Sequence, residues 1–126
     1  MGDVDEKVGV EITGEGNVAV VTFKATSVSD VEAIAAASIQ IKDFINKNHP
    51  GSLIFDFAGV KFFSSQVLGL LLDVRTKLRA CNGKMIISGI NPQLHRVFKI
   101  TNLDKIFTFF PDRDSALKAA AAGNSD

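Results

Sequence analysis

Hydrophobic and polar residues follow one another along this chain in two rhythms, one with a period of two residues and one with a helical period. Val8, Val10 and Ile12 alternate with polar neighbours, which predicts a half-exposed strand. Gly14 to Asn17 reads as a turn, and the β-branched run Val18 to Phe23 as the hairpin partner. Thr26 to Asp30 offers several N-capping side chains. Val31, Ile34, Ser38, Ile41 and Ile45 then recur at helical spacing, with Ala35 and Phe44 widening the stripe, until His49, Pro50 and Gly51 stop the helix. Leu53 to Phe57 is nearly all apolar and suits a central strand. Ser64 or Ser65 caps the next helix, with Val67, Leu70, Leu71, Val74 and Leu78 as its core stripe and Cys81, Asn82 and Gly83 as its stop.

Lys84 to Ser88 reads as a further strand. Asn91 caps a short helix with Pro92 at its first position, which runs to about Thr101. Ile106 to Phe109 is the last predicted strand, and Pro111 and Asp112 open a final helix through Ala121. The order β-β-α-β-α-β-α-β-α predicts an α/β fold: a mixed, mostly parallel sheet of four or five strands with an N-terminal hairpin and four helices. One domain is expected over residues 1–126, ordered over about 8–121 and fraying at both ends.

Composition narrows the function. An apolar share of 46% in 126 residues suits a globular core that needs no metal or disulfide. No apolar run reaches the roughly 18 residues that span a bilayer, so direct membrane insertion is not expected. Asp3 to Glu6 replaces the basic start of a signal peptide, and Glu6 stands where a myristoylation motif needs Ser or Thr. The lone Cys81 fits a reducing compartment, and the expected location is cytoplasmic. Charge is balanced overall but not along the chain. Residues 1–60 hold nine acids and four bases, whereas residues 61–118 hold ten bases and four acids. The basic half suits an acidic protein partner or a phosphorylated group, or else is an ordinary solvated helix surface. Nucleic acid is disfavoured, since the chain lacks Trp and Tyr and has no basic clusters interleaved with aromatics.

Catalytic and cofactor chemistry finds little to rest on. His49 and His95 lie in separate segments away from any cysteine pair, so no metal is expected. Neither GxxxxGK[ST] nor GxGxxG occurs, and no cofactor is expected. Nothing in the sequence brings His95 to Ser65 as a general base, and His95 reads as a surface residue of the short helix. Asp56, an acid inside an apolar strand, reads as a strand-end group facing solvent or a loop amide. Cys81 reads as a half-buried structural thiol.

The serine pair stands apart. With Ser65 as N-cap, its hydroxyl accepts a first-turn N–H, worth about 1 kcal/mol over alanine. Gly69 and Leu72 follow on the same face, flanked by Leu68. Leu68 and Leu72 stand off the core stripe, which predicts partial exposure. Gly69 in mid-helix costs roughly 1 kcal/mol against alanine. Something packing closely there, from the fold or from a partner, would account for it. A phosphate on Ser65 would be favoured by the helix dipole and the free N–H groups. It would also add about −1.5 to −2 charges to an apolar docking patch and repel a partner that accepts the hydroxyl.

Residues 53–69, LIFDFAGVKFFSSQVLG, resemble the signature of STAS domains, the anti-sigma factor antagonists and their relatives, in which an apolar strand ends in Asp-Leu-Ser-x-Val-x-Phe and Asp-Ser-Ser-Gly-Leu-Gly opens a helix. Residues 81–107, CNGKMIISGINPQLHRVFKITNLDKIF, are similar to the downstream strand, short helix and turn of that family, and residues 112–117, DRDSAL, to its closing helix. The resemblance covers most of the chain. It implies a non-catalytic bacterial signal-transduction protein that regulates transcription by binding an anti-sigma factor or serine kinase. It also implies that the partner is released when the serine aligned with the family's phosphorylation site is modified. That serine is Ser65, with Ser64 as the neighbouring alternative. Together with the helix face read above, the expected partner-binding residues are Ser64, Ser65, Gln66, Leu68, Gly69 and Leu72. Here Ser64 replaces the acid before the phospho-serine, Gln66 the second serine and Val67 the first glycine. Lys24 to Val28 replaces an acidic turn. A second expectation is a STAS subunit that is never phosphorylated, held in a larger signalling or lipid-transport assembly. An enzyme would need a constellation the chain does not offer.

Overall fold

The computed structural model describes residues 9–122. Along the chain run β1 (Val10–Glu15), β2 (Val18–Phe23), β3 (Ser27–Val28), α1 (Val31–Asn48), β4 (Ser52–Asp56), β5 (Phe62–Phe63), α2 (Ser65–Ala80), β6 (Lys84–Ser88), α3 (Pro92–Ile100), β7 (Thr108–Phe110) and α4 (Arg113–Ala121). β1 and β2 form the predicted antiparallel hairpin, turned at Gly16 with φ 61°. Val8, assigned to the first strand by its alternation, lies outside the described residues. The remaining strands join in parallel, giving a five-stranded sheet in the order β1-β2-β4-β6-β7. Each parallel step is bridged by one of α1, α2 and α3, because a parallel return needs a crossover.

Side-chain alternation sorts the sheet into two faces. Val21, Phe23, Leu53, Phe55, Met85 and Ile87 join the buried stripes of α1, α2 and α3 in the main core. The opposite positions, Val20, Ile54 and Ile86, are covered by Ala116 of α4. The central strand is therefore buried on both faces, which is why its sequence is an unbroken apolar run. Asp112 caps α4 by accepting the Ser115 N–H at 2.8 Å. That bond, and then the Ser115 hydroxyl, hold its carboxyl below the ordinary 3.8.

Two expectations need correction, and one strand pairing was not foreseen. The stripe of α1 is Ala33, Ile34, Ala37, Ile41 and Ile45, while Val31 is exposed and Ser38 half-buried. Val31 is the first residue of the helix, ahead of the turn that packs on α2. The last strand begins at Thr108, because a 3-10 turn over Leu103–Lys105 takes the chain up to Ile106. β3 and β5 form a separate two-stranded parallel sheet, Ser27 beside Phe62 and Val28 beside Phe63. Two residues on each side carry too little periodicity to be read.

Asp56 takes the second of the two positions expected of it. It accepts a loop amide, the Ala58 N–H at 3.1 Å, but it does not face solvent. Its carboxylate is buried, 3.2 Å from Arg113 Nε on α4, and it accepts the Ser88 hydroxyl at 3.4 Å. A charge in that position requires a counterion, and the α4 face supplies one.

Candidate functional site

The loop from Phe57 to Ser64 presents the start of α2, and it is pinned from several directions. Phe57 N–H donates to Ser88 O at 2.9 Å, while Lys61 N–H and Phe62 N–H both donate to Thr26 O. Asn91, the N-cap of α3, reaches Val60 O with its side-chain amide at 3.3 Å. Gly89 has φ 69°, and a Cβ there would meet the Ala58 backbone at 3.1 Å. Glycine at that turn thus lets the loop lie directly against the end of β6. Phe63 is buried in an aromatic chain, with ring centroids 5.7 Å from Phe57 and 6.0 Å from Phe98.

The pair of serines separates into two roles. Ser64, not Ser65, is the N-cap, with extended backbone at φ −86° and ψ 168°. Its N–H donates to Val28 O at 3.0 Å, so the β3–β5 pairing continues into the cap and the helix begins one residue earlier than it would with Ser65 as the cap. The Ser64 hydroxyl makes no cap bond and is buried without a protein partner. Ser64→Ala is therefore expected to leave the thermal midpoint unchanged or raise it, since an unpaired buried hydroxyl is itself destabilising. A drop matching the usual loss of about 1 kcal/mol for a serine cap would contradict this geometry.

Ser65 is the first residue of α2 and is exposed. Its N–H and its neighbour's lie in the turn where a helix leaves amide donors unpaired. The first turn of α2 carries no acid, so nothing there opposes an added anion. Gln66 beside it is exposed, as is Gly69 one turn on, while Leu72 is 36% exposed. Leu68 is half-buried and packs against the main core. The fold leaves open space around Gly69: nothing lies within 4 Å of a Cβ built there. Of the two expected causes for that glycine, close packing by the protein itself is thus removed. Gln66 and Gly69 border a shallow groove of about 240 Å³ between α1 and α2, shared with Val31, Ile34, Ala35, Ser38, Leu70 and Asp73. Asp73 ties the two helices together through an ion pair with Lys42. Exposed Phe62 adds apolar surface just before the serines.

His95 packs its ring on Phe109, with centroids 4.6 Å apart, and is half-buried. Cys81 is half-buried at the end of α2. Among the described residues no group of three or more His, Cys, Asp or Glu is arranged to hold a metal. No helix among them is long and apolar enough to cross a membrane.

The STAS domain family model matches residues 10–116, from the first strand into α4. The chain belongs to the STAS domain family. Solved structures agree on the fold. An anti-sigma factor antagonist from Mycobacterium paratuberculosis superposes with a TM-score of 0.77 at 25% identity, covering 92% of this chain and 96% of that one. The phosphorylated form of the Bacillus cell fate determinant SpoIIAA gives 0.69 at 19% identity, covering 89% and 99%. The murine anion transporter Slc26a9 gives 0.70 at 16% identity, where this STAS domain covers 87% of its own chain but 18% of the transporter. The residue that sequence reasoning missed is Arg113. An acid in an apolar strand signals that a counterion is needed, but nothing in the sequence says that α4 supplies it.

Proposed function

We propose that this STAS protein is a non-catalytic anti-sigma factor antagonist. It binds an anti-sigma factor or serine kinase through the start of α2, and phosphorylation of Ser65 releases that partner. The observation that carries the reading is the placement of Ser65: exposed, first in the helix, beside unpaired amides, and bordered by an open groove at Gly69. The same surface accepts the hydroxyl in one state and a doubly charged group in the other. Binding through Gly69 would account for a glycine the fold itself does not require.

The test begins with co-purification from the native host, with the bound protein identified by mass and phosphosites mapped on this chain. Calorimetric titration of that partner follows. Ser65→Asp is expected to weaken binding roughly tenfold or more, a loss of about 1.4 kcal/mol, while Ser65→Ala retains it. Gly69→Ala should stabilise the protein by about 0.5–1 kcal/mol and still weaken the complex. Equal affinities for the aspartate and alanine variants would remove the switch.

One observation favours a second reading. Ser64 stands where the resembled signature has an acid, and no acid occupies the first turn. A STAS subunit held permanently in a larger assembly, with Val31, Phe62 and Leu72 covered and Ser65 never modified, would have that character. An unmodified Ser65 in a stoichiometric complex would decide for it.

A further inference from the structure

A second surface lies towards the other end of α2, with Arg75 about 15 Å along the helix from Ser65 at 1.5 Å per residue. Leu72, Arg75 and Arg79 follow one another there at steps of three and four residues and share one helix face. β7 joins the sheet late: its first rung pairs Thr108 with Ile86, whereas β6 already begins at Lys84. The space left is a cleft of about 230 Å³ that brings Ile106 and Thr108 beside Arg75 and Arg79. Lys84 lines the cleft as well and already has an interaction of its own. Ile106 ends a tight turn that begins at the tail of α3. Asn102, at φ 64°, donates its N–H to Lys99 O, and Ile106 N–H donates to Leu103 O. Lys99 and Ile100 close α3, and Lys105 directly precedes Ile106.

Three of the six large apolar side chains exposed among the described residues belong to this surface: Ile100 at 73%, Ile106 at 39% and Leu72 at 36%. Arg75, Arg79, Lys99 and Lys105 stand around them, and among the described residues none of these four forms a salt bridge. The helix dipole accounts for Arg79 and Lys99, each in a last turn. It does not account for Arg75, or for aliphatic side chains left in water beside cations. Two acids lie in the same segments. Asp73 is held by Lys42 of α1, and Asp104 is half-buried on the 3-10 turn.

We propose that this surface adsorbs to a membrane carrying anionic lipid. Exposed aliphatic side chains bordered by Lys and Arg suit the boundary between headgroups and acyl chains. Leu72, Ile100 and Ile106 reach the apolar edge while the cations stay with the lipid phosphates. Each cation near an anionic leaflet adds an attraction that falls off within a Debye length. The contact is peripheral, since no helix among the described residues is long and apolar enough to cross a membrane. The centre of a protein–protein contact is instead rich in aromatic rings and poor in lysine, whereas this surface offers aliphatic chains and two lysines. A second copy related by a two-fold axis would set like charges against each other. Membrane contact here depends neither on phosphorylation of Ser65 nor on a protein partner.

The test is co-sedimentation of the full chain with vesicles of phosphatidylcholine containing about one third phosphatidylglycerol, in about 0.15 M salt. Saturable binding is expected, with little on phosphatidylcholine alone. Arg75→Gln/Arg79→Gln should bind roughly tenfold or more weakly, and so should Ile100→Ser/Ile106→Ser. Lys61→Gln/Lys118→Gln makes the same charge change at exposed positions elsewhere, and Ile39→Ser removes an exposed isoleucine of α1. Both should bind as the unmodified protein does. Absence of binding to the anionic vesicles would overturn the proposal and leave the surface to an acidic protein. Equal losses in the two charge variants would also overturn it, reducing the effect to bulk charge, as would undiminished binding by Ile100→Ser/Ile106→Ser. A dimer dissolved by that isoleucine variant, without vesicle binding, would assign the surface to a second copy instead.

Discussion

Phe98→Ala is expected to destabilise the protein by about 3–5 kcal/mol, the range for deleting a buried aromatic ring. Phe98 is fully buried on α3 and meets three other rings edge-on. Its centroid lies 6.0 Å from Phe63, 5.9 Å from Phe107 and 5.2 Å from Phe109. Edge-to-face pairs add to simple area burial, and alanine loses all three at once. For a small domain with about 5–15 kcal/mol in total, this removes a large share. The thermal midpoint should fall by roughly 10–15 °C, and urea denaturation should show the loss directly. Phe98→Leu should lose clearly less, since it keeps most of the volume. The consequence reaches the functional surface. Phe63 is held between Phe57 and Phe98 and directly precedes Ser64, so a cavity at Phe98 loosens the residue that fixes where α2 begins. A loss below about 1 kcal/mol would mean that the aromatic chain does not act as a packed unit.

Arg113→Met is expected to cost about 2–3 kcal/mol, less than the 3–5 typical of breaking a fully buried pair. The reduction follows from asymmetry: the Asp56 side chain is 7% exposed and that of Arg113 47%. Removing the arginine leaves a carboxylate among buried residues with only the Ala58 amide and the Ser88 hydroxyl as partners. Asp56→Asn should cost less, because it leaves behind a cation that water can solvate. Combining the two changes should therefore recover part of the Arg113→Met loss in a double-mutant cycle followed by urea denaturation. Additive losses would show that the two side chains do not interact. Asp56 also closes β4 and begins the loop that carries the serines, so the pair ties α4 to the base of the candidate site.

Much of this architecture was legible in the residues. The stripe Val67, Leu70, Leu71, Val74 and Leu78 is the buried face of α2 as observed. The hairpin, the parallel central strands and the cap Asn91 also stand where local pattern put them. These features depend on neighbours a few residues apart, and the periods of helix and strand record such neighbours directly. The first turn of α2 was less legible. Either serine satisfies the preference for a cap, and only the Val28 carbonyl, reached through the β3–β5 pairing, selects Ser64.

What the sequence by itself determined is the order of elements, the stripe each helix buries and the presence of serines where α2 begins. Tertiary structure decided the rest: that Ser65 is the exposed serine while the Ser64 hydroxyl is buried, that nothing in the fold packs on Gly69, that Asp56 meets Arg113, and that the late start of β7 opens a cleft among three cations. The physical reason is common to all four. Each depends on groups brought together from distant parts of the chain, or on space left between them, and a period of two or 3.6 residues carries no record of either.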